Sequence, residues 1–128
     1  MAGMTDWTSD ELDRIGAARE LRIAGRRADG RLRNPVVIWG VCVDGDYYVR
    51  SVNGTGAAWF RGTRPLHEGW ISSGGVEKDV TFEDVDPRDP VNERIDDAYR
   101  EKYGAGSSSV AALTAEAARQ ATLRLLPR

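Results

Sequence analysis

Pro35-Val36-Val37-Ile38-Trp39-Gly40-Val41-Cys42-Val43-Asp44-Gly45-Asp46-Tyr47-Tyr48-Val49-Arg50-Ser51-Val52 is the stretch that decides the fold. Asp-Gly between two apolar runs is the strongest short hairpin signal, because both residues tolerate the positive φ that a two-residue turn requires. With Asp44 and Gly45 in the turn, Val43 faces Asp46, Val41 faces Tyr48, Trp39 faces Arg50 and Ile38 faces Ser51. Val37, Trp39, Val41, Tyr48, Arg50 and Val52 then share one face; Ile38, Gly40, Cys42, Tyr47, Val49, Ser51 and Asn53 share the other. Neither is a solvent face, so Val36 to Val43 is expected to be buried on both sides. A ribbon of this kind fits a small barrel covered outside by helices or by a second subunit.

The flanks extend this reading. Upstream, Leu21 and Ile23 alternate with polar residues, and Ala28-Asp29-Gly30-Arg31 supplies a tight turn leading to Pro35, so a first hairpin is predicted. Further back, Thr8 and Glu11 form a capping box, with Trp7 and Leu12 placed as its hydrophobic staple. Downstream, Asn53-Gly54-Thr55-Gly56 reads as a turn before a short helical turn at residues 57–61. Strands are predicted at residues 68–72 and 78–83, separated by Ser73-Gly74-Gly75. Asp86-Pro87 and Asp89-Pro90 open a long helix that ends at Gly104, with Val91, Ile95, Ala98, Tyr99 and Tyr103 on its apolar stripe. Its acids Glu93, Asp96, Asp97 and Glu101 read as a water-facing surface. Residues 104–109 read as a flexible loop, residues 114–121 as a brief helix and residues 122–126 as a returning strand.

At 128 residues, with 41% hydrophobic and 30% charged residues, the chain has the size and balance of a single soluble domain spanning 1–128. No apolar run approaches the length of a membrane span, and Met1 to Asp10 lacks the blocks of a secretory signal, so a cytoplasmic protein without a membrane partner is expected. One cysteine, Cys42, and one histidine, His67, exclude a disulfide framework and a Cys/His metal cage within the chain. No metal is expected. The same scarcity leaves little room for Ser-His-Asp or Cys-His catalysis, so any chemistry is expected to belong to a bound cofactor. His67 reads as a surface or structural residue, and Cys42 as a small core residue.

Basic and acidic residues nearly cancel, 18 against 20, but they are sorted along the chain. Residues 14–33 carry seven arginines against two acids, whereas residues 77–101 carry ten acids against four bases. Either these are two solvated, mutually attracting faces or the arginine-rich stretch is a local anion site. Aromatic residues are not interleaved with the arginines, so no nucleic-acid partner is expected. In Gly25-Arg26-Arg27-Ala28-Asp29-Gly30-Arg31-Leu32-Arg33-Asn34, arginines flank the tight turn, from which guanidinium forks can grip a phosphate. Arginine at a hairpin tip is equally a solubilising choice.

This run is similar to the Gly-Arg-x-x-Gly-x-x-Arg pattern of split-barrel nitroreductases that bind deazaflavin or flavin mononucleotide (FMN), with Gly25, Arg26, Gly30 and Arg33 at its marked positions. Ser51-Val52-Asn53-Gly54 followed by Ala58-Trp59-Phe60 resembles that group's second signature. Over its whole length the chain most resembles the bacterial family designated domain of unknown function 2255. The resemblance implies an α+β, mainly β fold: a six-stranded antiparallel split β-barrel with flanking helices, assembled as a homodimer. It also implies Arg26, Arg31 and Arg33 as phosphate ligands, Ser51 and Asn53 at the phosphate or ring edge, and Trp59 walling the ring. The chain departs from the pattern at Arg61-Gly62-Thr63, where the group usually has an asparagine. Two functions follow: a flavin- or deazaflavin-dependent oxidoreductase acting on a small organic acceptor, or a non-catalytic small-molecule-binding or accessory protein of the same fold.

Overall fold

The computed structural model describes residues 6–128; the first half of the Met1–Asp10 stretch, read above for a secretory signal, lies outside them. Helix α1 (Ser9–Ala17) begins at the expected capping box: Thr8 accepts from the Glu11 amide and Glu11 accepts from the Thr8 amide. Trp7 is buried just ahead of it, and its indole N–H donates to the Leu125 carbonyl at 2.9 Å. Trp7 therefore ties the start of α1 to the last strand, and it shares a core cluster with Leu12, its expected staple partner.

Seven strands follow: β1 (Leu21–Gly25), β2 (Val36–Ile38), β3 (Gly40–Val43), β4 (Asp46–Arg50), β5 (Glu68–Ser73), β6 (Val76–Asp84) and β7 (Thr122–Pro127). They form one antiparallel sheet in the order β2-β1-β5-β6-β7-β4-β3. Its two edges, β2 and β3, are consecutive in the chain and separated only by Trp39, so the sheet must curl back on itself into a nearly closed barrel. The fold is the expected split barrel, with seven strands rather than six.

The extra strand arises because the apolar run breaks at Trp39. Val43↔Asp46, Cys42↔Tyr47, Val41↔Tyr48 and Gly40↔Val49 pair in the register derived from the Asp-Gly turn. Beyond Gly40 the chain leaves β4, and Leu21↔Ile38, Arg22↔Val37 and Ile23↔Val36 pair with β1 instead. The expected Trp39↔Arg50 and Ile38↔Ser51 pairs are therefore absent. Helix α3 (Val91–Tyr103) takes up the carbonyls at the break. Tyr99 donates to the Trp39 carbonyl at 3.0 Å, and Lys102 and Tyr103 donate to the Gly40 carbonyl at 2.8 and 3.2 Å. Gly40 itself is required, since a Cβ there would strike the Tyr47 hydroxyl.

Two apolar clusters lie on the two faces of the β3–β4 ribbon, as the alternation predicts. Tyr47 and Val49 join Ile15, Leu21, Ile23, Ile71, Val80, Phe82, Leu123 and Leu125 inside the barrel. Val41, Val43 and Tyr48 pack outside it against Ile95, Tyr99, Tyr103, Val110 and Leu113. The expectation of two-sided burial fails at β2: Val36 and Val37 are 38% and 55% exposed, because this short piece stands at a sheet edge.

Between β4 and β5 lie a 3-10 turn at Gly54–Gly56 and helix α2 (Ala58–Arg61). After α3, helix α4 (Ser108–Leu113) replaces the last part of the predicted loop, capped by Ser107, and α5 (Glu116–Arg119) leads into β7. Among the described residues no helix is long and apolar enough to cross a membrane.

Candidate functional site

The break at Trp39 leaves a gap. Beyond Arg50 the chain leaves β4 and turns through Ser51-Val52-Asn53, where the Gly54 amide donates to the Ser51 carbonyl at 3.1 Å, while Val36-Val37-Ile38 veers away to β1. Between the diverging segments lies a cleft of about 380 Å³ lined by both, with Trp39, Trp59, Ser109 and Leu113 completing its walls. Most of the lining is apolar, and the polar groups are few, as in sites that hold a flat organic ligand by its edge.

One of those polar groups has no partner. Ser51 is fully buried and its Oγ makes no hydrogen bond among the described residues. Its amide is taken by the Ala121 carbonyl at 3.1 Å, which fixes the residue beside the start of β7. A buried unsatisfied hydroxyl is rare in folded proteins, and one at a cleft wall is a natural anchor for a ligand.

A second hollow of about 160 Å³ adjoins the first through Val36 and Trp59, lined by Arg27, Arg33, Asn34, Ala58 and β1. The turn feeding it forms as expected: Gly30 adopts φ +87°, its amide donates to Arg27 O at 2.8 Å, and Arg33 N donates to Gly25 O at 2.9 Å. Two glycines allow β1 and α2 to close on each other. A Cβ on Gly25 would strike the Gly62 carbonyl, and a Cβ on Gly62 would strike the Arg33 side chain crossing it.

The predicted site residues thus separate. Ser51, Asn53 and Trp59 line the larger cleft, and Arg33 and Trp59 line the smaller hollow. Arg26 is committed elsewhere, donating to the Gly30 carbonyl at 2.8 Å and to Asp79 at 3.0 Å, so it braces the hairpin. Arg31 stands exposed at the turn, 3.8 Å from Asp29. Arg27 and Asn34 in the hollow were missed, although both lie in the quoted arginine stretch.

Also missed was the floor of the cleft. Arg50, 1% exposed, does not stack on Trp39, whose ring lies 4.1 Å from Tyr103, nearly parallel to it and under Arg19. Arg50 turns instead toward α3, where its five N–H donors all find acceptors. Nε donates to Thr122 Oγ1 at 3.0 Å, and Nη1 to Asp96 and to the Leu113 carbonyl. Nη2 donates to the carbonyl and the side-chain oxygen of Asn92. Asp96 also holds Arg119. Asp96 is therefore buried rather than water-facing, while Glu93, Asp97 and Glu101 are exposed as expected. Burial pulls the Arg50 pKa down, and Asp96 works against that shift. The signal was present in the spacing, since Asn92, Asp96, Tyr99 and Tyr103 share one face of α3.

Cys42 and His67 lie outside both hollows. Burial pushes the Cys42 thiol up, away from nucleophilic use, and His67 sits 3.5 Å from Asp84 at a positive φ of 52°. Thr63, near the position of the missing asparagine, caps α2 by donating to Phe60 O at 2.7 Å. Among the described residues no group of three His, Cys, Asp or Glu side chains could hold a metal ion.

An antiparallel barrel closed by one kinked segment, with a cleft at its seam, defines the chain as a split-barrel protein. Solved structures share the fold at low identity. HutZ, the heme storage protein from Vibrio cholerae, is 16% identical with a TM-score of 0.67 over 94% of this chain and 89% of that one. An F420-H2 dependent reductase (FDR-A) is 15% identical with a TM-score of 0.62 over 84% and 93%. Conserved hypothetical protein Rv2991 from Mycobacterium tuberculosis is 13% identical with a TM-score of 0.61 over 98% and 82%. The chain belongs to the family described as uncharacterized protein conserved in bacteria (DUF2255), whose profile matches residues 11–125. No functionally curated protein matches it.

Proposed function

We propose that this protein binds a flavin- or deazaflavin-type cofactor across the two hollows and serves as an oxidoreductase for a small organic acceptor. The observation that carries the reading is a cleft walled by Trp59 whose lining includes Ser51, a buried residue with an unpartnered hydroxyl. The hydroxyl and Asn53 meet the polar edge of a planar ring, and Trp59 and Val36 cover its apolar body. The anionic tail runs into the smaller hollow toward Arg33 and Arg27, whose guanidinium groups have no hydrogen bond or ion pair among the described residues. Arg26 contributes through the shape of the hairpin it braces, whereas Arg31 stands at the exposed tip, clear of the tail. Such a cofactor supplies hydride transfer itself, which suits a cleft whose one ionisable lining side chain, Arg50, is fully engaged elsewhere.

FDR-A is named for F420, a deazaflavin, and HutZ for heme. Heme is the weaker fit here, because no His, Cys, Met or Tyr among the described residues lines the cleft to ligate iron. The apolar edge at Val36, Val37 and Val52, open beside the cleft, is where a second copy of the chain completes the wall in a homodimer.

The test is a titration of purified protein with FMN and with F420, followed by the visible spectrum and tryptophan quenching. Saturable binding with a shifted chromophore band is expected for one of them, and reduction of the bound cofactor by a hydride donor separates an oxidoreductase from a binding or accessory protein. Absence of binding to both at high micromolar concentration overturns the proposal. Sedimentation of wild type against Val37→Glu tests the dimer, the variant being expected to run as a monomer.

A further inference from the structure

Beneath the cleft, Arg50, Asp96 and Arg119 form a linked ion network of two cations and one anion. Arg50–Asp96 differs from every other ion pair among the described residues in having both side chains sealed from water, at 0% and 4% exposure. Sealing an ion pair from water is expensive, and well-packed apolar residues of the same volume commonly serve stability as well or better. This pair lies directly under the ligand cleft, with Arg50 forming part of its lining. Its hydrogen bond to the Leu113 carbonyl, at 3.0 Å, also fixes the end of α4, whose Ser109 and Leu113 form the opposite wall.

We infer that the Arg50–Asp96–Arg119 network is a specificity device: its uncancelled positive charge biases the cleft toward a ligand whose floor-facing edge is rich in acceptors or negatively charged, and Arg50 holds the α4 wall against that edge. All five Arg50 donors are occupied, so the guanidinium acts on the ligand through its field and through the wall it positions. Glu93 and Glu116 also attract Arg119 but are exposed, where water and salt screen them, whereas Asp96 faces Arg50 inside. Ser51 supplies the donor and the network supplies the sign. A pyrimidinedione edge, with its ring carbonyls, is the kind of group this floor selects. The inference rests on the cleft being the ligand site.

The experiment pairs two variants with two probes. Arg50→Met with Asp96→Leu replaces the pair by apolar residues. The double variant is expected to melt lower, because the Asn92 and Leu113 carbonyls lose their donor, and, where folded, to weaken FMN or F420 binding at least tenfold; wild-type affinity in a folded double variant overturns the inference. Arg119→Gln removes the surplus charge from a partly exposed helix position that does not line the cleft. Its readout needs no cofactor: iodide against caesium quenching of tryptophan fluorescence in a Trp70→Phe background, where Trp39 and Trp59 report the cleft. The iodide preference is expected to fall about twofold, as for one unit charge under partial solvent screening, and an unchanged ratio overturns the inference even if the double variant fails to fold. If wild type binds neither cofactor while the quenching ratio falls, the proposed cofactor is wrong and the charged floor stands.

Discussion

Replacing Ser51 by alanine should move stability and affinity in opposite directions. In the free protein the Ser51 hydroxyl is fully buried and unpaired, and an unsatisfied buried group of this kind costs about 1–3 kcal/mol. Alanine removes the oxygen and leaves the backbone bond to Ala121 untouched, so the free variant should gain about 1 kcal/mol, the lower end of that range, since a small void replaces the oxygen. For a chain of this length a gain of that size raises the melting temperature by about 3–6 °C. In the complex the variant loses one hydrogen bond, about 0.5–1.5 kcal/mol net, which weakens binding by about two- to tenfold. The assays are thermal unfolding of the free protein and fluorescence titration with FMN and F420. A variant that melts lower and binds as well as wild type would refute the reasoning, because the hydroxyl would then have a structural partner and no ligand role.

Three further outcomes follow from the same geometry. Arg33→Gln should weaken FMN about fivefold or more, the scale of one charge-assisted hydrogen bond, yet leave phosphate-free riboflavin nearly unchanged, whereas Arg31→Gln should affect neither; equal losses for FMN and riboflavin would remove the phosphate role. Gly25→Ala should destabilise the fold by about 1–3 kcal/mol, as overpacking does, because its Cβ strikes the Gly62 carbonyl; denaturant unfolding measures it. The Lys78 hydrogen bond, aided by the Thr8 amide, holds the Glu11 carboxyl below its usual value. A depressed carboxyl lends stability that is complete above its unfolded pKa and lost as pH falls through the folded one. Glu11→Gln should therefore lose about 0.5–1 kcal/mol at pH 7 and show a smaller drop in melting temperature than wild type between pH 6 and pH 3.

Local chemistry made much of the fold legible. Asp44-Gly45 set a register that holds for four residue pairs, and Thr8 with Glu11 marked the first helix to the residue. The break at Trp39 was hidden because the acceptors it releases are satisfied from more than fifty residues away, by Tyr99, Lys102 and Tyr103. Asp96 was misplaced for a related reason. A carboxylate on an acidic helix reads as solvated until the cation it neutralises is located, and Arg50 looked like one more ribbon residue. In the arginine stretch, residue type indicated anion binding, but only the fold shows that Asp79 claims Arg26 while Arg33 crosses Gly62 to reach a hollow.

The site and the fold's irregularity are the same feature. Had the run from Val36 to Val43 stayed with β4, Ile38 would have paired with Ser51 and its side chain would have filled the space beside it. Because the run supplies both edges of the sheet, it must leave one to reach the other, and the pairs it gives up are those beside the cleft. Closing the barrel with a single kinked segment thus leaves a hollow next to a hydroxyl with nothing to bind, and the Arg50 network fills the space behind it with charge rather than hydrocarbon. A variant that straightens this segment should close the barrel and lose the ligand together.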